Sequence, residues 1–327
     1  MQMFGHRQDD ELNIPGRIHA RPVRKPGPIV AAVIVAIFVA MLAHGLVTNP
    51  NFDWPTVWKY LFNEHVLDGI KWTLLLTVYS MVLATALAIV LAVMRKSTNP
   101  VLRWVSWFFI WFFRGTPVYT QLVFWGLFAV LIPKLAIGIP FGPEFFSIDT
   151  KDVLNATIAT ILGLALNEAA YLSEIVRAGI EAVDPGQTEA AQALGMPRSM
   201  IMRRIILPQA MRIIVPPTGN ETIGMLKTTS LALAVPFTLE LQFATNAIAN
   251  RIYKTIPLLI VACIWYLVIT SVLMVVQAQL EKHYGKGFDS RPLVGSDKPS
   301  SSATSADSSD KQKVDKVNQV MLAGLNA

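Results

Sequence analysis

The chain has 327 residues, of which 53% are hydrophobic and only 15% charged, whereas a soluble domain carries roughly 25% charged residues. The deficit excludes an ordinary water-soluble globule and points to lipid as the main solvent. A net charge of +6 could signal nucleic-acid binding, but the basic residues sit in short clusters between apolar runs, a pattern of membrane topology and not of nucleic-acid contact.

A bilayer core needs about 20 apolar residues as a helix, and six segments qualify. Residues 29–47 come first; the polar segment 1–28 before them, and the lack of a small-residue cleavage site after them, predict a retained anchor over a signal peptide. Residues 72–94 run without a charge between Lys71 and Arg95. Residues 104–133 are apolar apart from Arg114 and break at Gly115-Thr116-Pro117, too long for one upright helix and too short for two crossings, so one tilted or broken helix is expected. Residues 153–176, 212–236 and 257–280 complete the set. With the N-terminus inside, the inner flanks hold sixteen Lys and Arg and the outer flanks six, which predicts an N-in, C-in chain. The single cysteine, Cys263, rules out an intramolecular disulfide. The tail from 286 to 327 is Ser- and Asp-rich over 296–312 and is read as disordered.

The inner loop between the fourth and fifth spans carries the clearest local chemistry. Asp184-Pro185 supplies an N-cap followed by Pro at the first helical position, with Gln187 placed as a capping-box partner. Glu189 to Leu194 form a short helix, and Gly195 followed by Pro197 stops it. A second amphipathic piece, Ser199 to Leu207, is expected to end at Pro208. The loop is either an interfacial helix pair lying on lipid or a docking surface, and the small residues Ala190, Ala191 and Ala193 suit the close approach of a partner.

Several ionisable or polar residues fall inside the predicted spans, where each needs a partner or solvation. Arg114 beside the helix break either faces a solute path, with the loosened backbone, or fixes helix packing through a carboxylate. Glu174 and Arg177 are spaced for an i,i+3 ion pair. Glu168 has no local partner, and Asn167 stands beside it. In the fifth span, Asn220 and Glu221 precede Lys227 and the Thr228-Thr229-Ser230 cluster, which either lines a polar path or bonds back to its own helix. The aromatic run from Trp104 to Phe113 reads as lipid-facing. The five His residues show no metal-ligand spacing, so no metal or cofactor is expected, and no nucleophile–base set argues for an enzyme.

Glu189-Ala190-Ala191, Gly195, and then Ile205, Leu207 and Pro208 resemble the EAA loop of ABC-importer permeases at every position of that pattern. Gly69 with Thr73 and Thr77, the Arg114-Gly115-Thr116-Pro117 segment with Gln121-Leu122, Ala170-Tyr171 with Glu174 and Arg177, and Lys227-Thr228-Thr229-Ser230-Leu231 are similar to segments of the polar amino acid permeases, the histidine, glutamine and glutamate type. Thr228 departs from the acidic or amide residue usual there. The resemblance covers residues 65–285. It implies an all-α polytopic membrane protein, a five-helix permease core plus one additional N-terminal transmembrane helix, in a bacterial cell membrane. It implies that residues 184–208 couple to a separate cytoplasmic ATPase through Glu189, Ala190, Ala191, Gly195, Ile205, Leu207 and Pro208. It also implies an extracytoplasmic amino-acid-binding protein and a second permease subunit, a copy or a paralogue. Arg114, Thr116, Glu168, Tyr171, Glu221, Lys227, Thr229 and Ser230 are then candidate path residues. The chain lacks a Gly-x-x-x-x-Gly-Lys-Ser/Thr phosphate loop, so ATP must be bound by another subunit. A stand-alone carrier or channel is the alternative reading, but it would need no helix shaped for an ATPase.

Overall fold

The computed structural model describes residues 26–139 and 144–284, so the expected basic N-terminal segment falls almost wholly, and the expected disordered tail wholly, outside the described residues. The first helix, α1 (Pro26–Thr48), is apolar, and it is exposed from Ile29 to Thr48. Trp54 Nε1 donates to the Leu46 carbonyl at 2.9 Å and ties its end to α2 (Trp54–Leu61). Asp53 caps α2, its Oδ2 accepting from Thr56 Oγ1 at 2.7 Å and from Lys254 Nζ at 2.5 Å. That ammonium holds the Asp53 carboxyl below the usual carboxylate range.

The central helix, α3 (Glu64–Arg95), is 32 residues long, about 48 Å at 1.5 Å per residue, and extends beyond the hydrocarbon at its ends. It packs along α7 (Ala156–Glu181) through small residues: Ser80, Ala84 and Ala88 on one helix, Ala165 and Ala169 on the other, all buried. Without a hydrophobic drive inside lipid, such small residues let backbones approach closely enough for dispersion to hold the pair. On another side of α3, a Cβ at Gly69 would stand 2.8 Å from the Cα of Leu241 in the outer segment.

The third predicted span is one broken rod. Its halves, α4 (Pro100–Gly115) and α5 (Val118–Leu131), are parted by Thr116-Pro117 and run in the same direction along α7. Beyond α5 comes an element absent from the sequence reading, an antiparallel hairpin of β1 (Lys134–Gly138) and β2 (Glu144–Asp149). A single turn, α6 (Thr150–Val153), leads into α7.

The inner loop forms α8 (Pro185–Ala193) and α9 (Arg198–Ile201). Pro208 does not end the second piece. The chain passes through a π-helical turn at Met202–Ile206 directly into α10 (Leu207–Thr228). A wider turn accommodates a ring that cannot donate to the preceding carbonyls, and Gln209 Nε2 takes the Ile205 carbonyl at 3.0 Å. The fifth helix therefore starts earlier than expected and stops at Thr228, where a 3-10 turn, Thr229–Ala234, takes over. The outer segment then contains a 12-residue helix, α11 (Leu241–Ile252), packed on α3, before the last long helix, α12 (Thr255–Tyr284).

Candidate functional site

The inner loop is built as its local sequence dictates. Asp184 Oδ1 accepts from the Gly186 amide at 2.8 Å, and Pro185 opens α8 where a missing N–H costs nothing. At the other end Gly195 adopts φ +75°, with its amide bonding Gln192 O at 2.9 Å and the Met196 amide bonding Ala191 O at 3.1 Å. This paired bond pattern closes the helix and requires a left-handed residue, which is why glycine stands there. The seven residues expected to couple are divided by burial. Glu189, Ala190, Gly195, Leu207 and Pro208 are exposed, Ile205 is half-buried, and Ala191 is only 3% exposed, turned inward under α9. Leu194, which the sequence reading passed over, is 82% exposed at the tip of the loop.

The break in the third span is satisfied internally. Gln121 Nε2 donates to Phe113 O at 2.9 Å, to Thr116 O at 3.1 Å and to Thr116 Oγ1 at 2.7 Å, and Asn167 Nδ2 also reaches Phe113 O at 2.9 Å. The loosened carbonyls are thus held by two side chains instead of facing a path, and Thr116 belongs to this knot. The carboxylate partner considered for Arg114 is not found among the described residues. Its guanidinium lies over the Tyr171 ring, 5.2 Å from the centroid, at the edge of an open pocket that also includes Glu174. Glu174 is already engaged by Arg177 at 2.6 Å, the expected i,i+3 pair, and Arg177 reaches Glu181 as well.

Glu168 stands at the middle of α7, 7% exposed, and its Oε1 has no hydrogen-bond partner. The charge of Glu221 on α10 is close enough to act on it. A buried carboxylate oxygen left without a donor costs free energy, so the position calls for a proton or a hydrogen-bond donor. One turn along α7, Leu172 lines a largely apolar cleft of about 740 Å³ between α3, α7 and α10, with Thr218 and Thr222 among its few polar atoms. Lys227 is exposed and belongs to none of the ion pairs among the described residues. The hydroxyls beside it bond back to their own helix: Thr228 to Gly224 O at 3.0 Å, Thr229 to Leu226 O at 2.7 Å and Ser230 to Lys227 O at 2.7 Å. Thr229 is fully buried and does not line an open surface.

Thr229 turns instead toward a residue the sequence reading missed. Glu240 is fully buried before α11 and accepts from Thr73 Oγ1 at 2.8 Å, Thr229 Oγ1 at 3.4 Å, the Gln242 amide at 2.6 Å and the Tyr266 hydroxyl. It joins α3, the 3-10 turn, α11 and α12 at one point. Its position in a polar outer segment hid it; the signal that could have found it was Thr73 with Tyr266, two polar side chains in otherwise apolar runs.

Residues 84–286 match the family described as binding-protein-dependent transport system inner membrane component. The chain is 50% identical over 274 residues to the arginine transport system permease protein ArgU of Corynebacterium glutamicum, covering 84% of this chain and 85% of that one. It is 36% identical over 233 residues to the histidine/lysine/arginine/ornithine transport system permease protein HisM of Escherichia coli, covering 69% and 92%. Among solved structures it is similar to an amino acid ABC transporter crystallised with histidines, at 32% identity and a TM-score of 0.56, covering 68% of this chain and 95% of that one. The apolar helices, the capped inner loop and these similarities together make the chain a member of the binding-protein-dependent transport system inner membrane component family.

Proposed function

We propose that this permease subunit of an amino-acid ABC importer carries a basic amino acid, with Glu168 as the residue that meets its positive charge. The observation that supports this most directly is the unpartnered Glu168 Oε1, buried at mid-helix with the Glu221 charge nearby. Two acids in one low-dielectric region suit a solute carrying both an α-ammonium and a cationic side chain, and they disfavour an acidic one. Relatives named for arginine and for histidine, lysine, arginine and ornithine transport agree with that chemistry. Lys227, with Ser230 beside it, and Arg114 over Tyr171 are the cations available to the solute carboxylate.

The drive comes through the inner loop. Glu189, Ala190, Leu194 and Gly195 form the face offered to a cytoplasmic ATPase, while α8, with buried Ala191, packs on α9 and on the π-helical turn that holds Ile205, and Leu207 and Pro208 carry the motion into α10. An extracytoplasmic binding protein delivers the solute, and a second permease subunit completes the path. Residues 65–285 form the permease domain, and α1 is an addition to it.

The test is uptake of labelled arginine by proteoliposomes holding the complete complex. Glu168→Gln is expected to abolish uptake while the complex still assembles and hydrolyses ATP; undiminished uptake would remove Glu168 from the path. Uptake by this chain alone, without an ATPase, would favour a stand-alone carrier.

A further inference from the structure

The paired residues of the hairpin between α5 and α7 are sorted by side, with Phe145, 71% exposed, left outside the pairing at the register shift beside Gly138. The cross-strand pairs Leu135↔Ile148 and Ile137↔Phe146 share one face, and Lys134↔Asp149 and Ala136↔Ser147 share the other. The apolar face is open: Ile137 is 71% exposed and Phe146 58%. An isolated two-stranded hairpin is at best marginally stable in water, so a hairpin with one bare apolar face needs a cover.

Its surroundings indicate which one. Only Ile132 and Pro133 separate Lys134 from the end of α5, so the hairpin begins within about 10 Å of that helix end. The last turn of α5 exposes Leu127, Val130 and Leu131, the apolar belt that a spanning helix shows to lipid. The Thr150 amide bonds Pro133 O at 2.9 Å and closes the base, which prevents the hairpin from swinging free of the helices. Lys134 begins β1 and Lys151, 3.8 Å from Asp149, follows β2, so both ends of the hairpin base carry ammonium groups of the kind that meet lipid headgroups.

We propose that the β1–β2 hairpin lies on the outer membrane surface, with Leu135, Ile137, Phe146 and Ile148 inserted among the lipid headgroups and upper acyl chains. It acts as an interfacial anchor that holds the outer ends of α5 and α7 at constant depth while the rest of the permease moves.

The experiment places nitroxide labels on the full chain, in a Cys263→Ser background, in nanodiscs of phosphatidylcholine and phosphatidylglycerol. Ile137→Cys and Phe146→Cys label the apolar face; Ala136→Cys and Ser147→Cys label the other. Collisions with oxygen relative to a water-soluble nickel chelate are expected to be several-fold higher on the apolar face. Adding Phe146→Asp is expected to bring the label at position 137 to the water-exposed value without altering the labels on the opposite face. Equal nickel access on both faces would overturn the proposal, because the face would then stand in water. Labels at 137 and 146 that are immobile and shielded from both reagents would also overturn it, in favour of a protein cover.

Discussion

Gly195 and Glu240 show two ways in which one residue determines a larger arrangement. Gly195 is open on all sides, so its requirement is conformational: at φ +75° a β-branched residue is strained by about 1–2 kcal/mol, while asparagine is tolerated. Gly195→Val is therefore expected to reduce copurification of the ATPase, and Gly195→Asn to retain most of it. Glu240 acts through its acceptors. Glu240→Ala would strand the Tyr266 hydroxyl and the Gln242 amide, whereas Thr73 and Thr229 keep the Gly69 and Leu226 carbonyls; each buried donor left unmade costs about 1–3 kcal/mol. The purified protein should melt several degrees lower, and Glu240→Gln, which keeps one acceptor oxygen, should recover part of the loss. If the alanine variant melts unchanged, the four-element knot has no energetic weight.

At the scale of elements, the separation between helices is set by small residues. Gly69 lets the Leu241 backbone approach α3, and no side-chain adjustment can make room for a methyl group there. Gly69→Ala should cost about 1–3 kcal/mol in overpacking, read as a lower melting temperature. Ala244→Gly should fail to rescue it, because the obstruction is backbone and not the Ala244 methyl. The break between α4 and α5 is likewise paid for locally, by Gln121 and Asn167. Continuous apolar runs located each long helix in the sequence, since lipid demands such stretches, but they missed the first eight residues of α3 and ran eight past the end of α10. They also missed α11 and the hairpin, which are short and sit in polar or mixed segments where no such demand operates.

The whole molecule is a permease core with a loosely attached first helix. Since α1 is exposed from Ile29 to Thr48 and joined to α2 by the Trp54–Leu46 hydrogen bond, removal of residues 1–48 should leave the core folded and ATP-driven uptake largely intact. Loss of folding would instead make α1 part of the core. By itself the sequence determined the class of the protein, its broken third span and its inner loop, because hydropathy, Lys and Arg placement, capping residues and the spacing from Glu189 to Pro208 are local properties. It also named Glu168 as unpaired, which is legible from a single helix. Only the tertiary structure decided that Ala191 and Thr229 face inward, that the Arg114 guanidinium rests on Tyr171 without a carboxylate, and that Glu240 binds four elements together. Those outcomes depend on which faces of distant helices meet, and contacts between residues far apart in the chain, such as Thr73 with Glu240, leave no periodic trace in it.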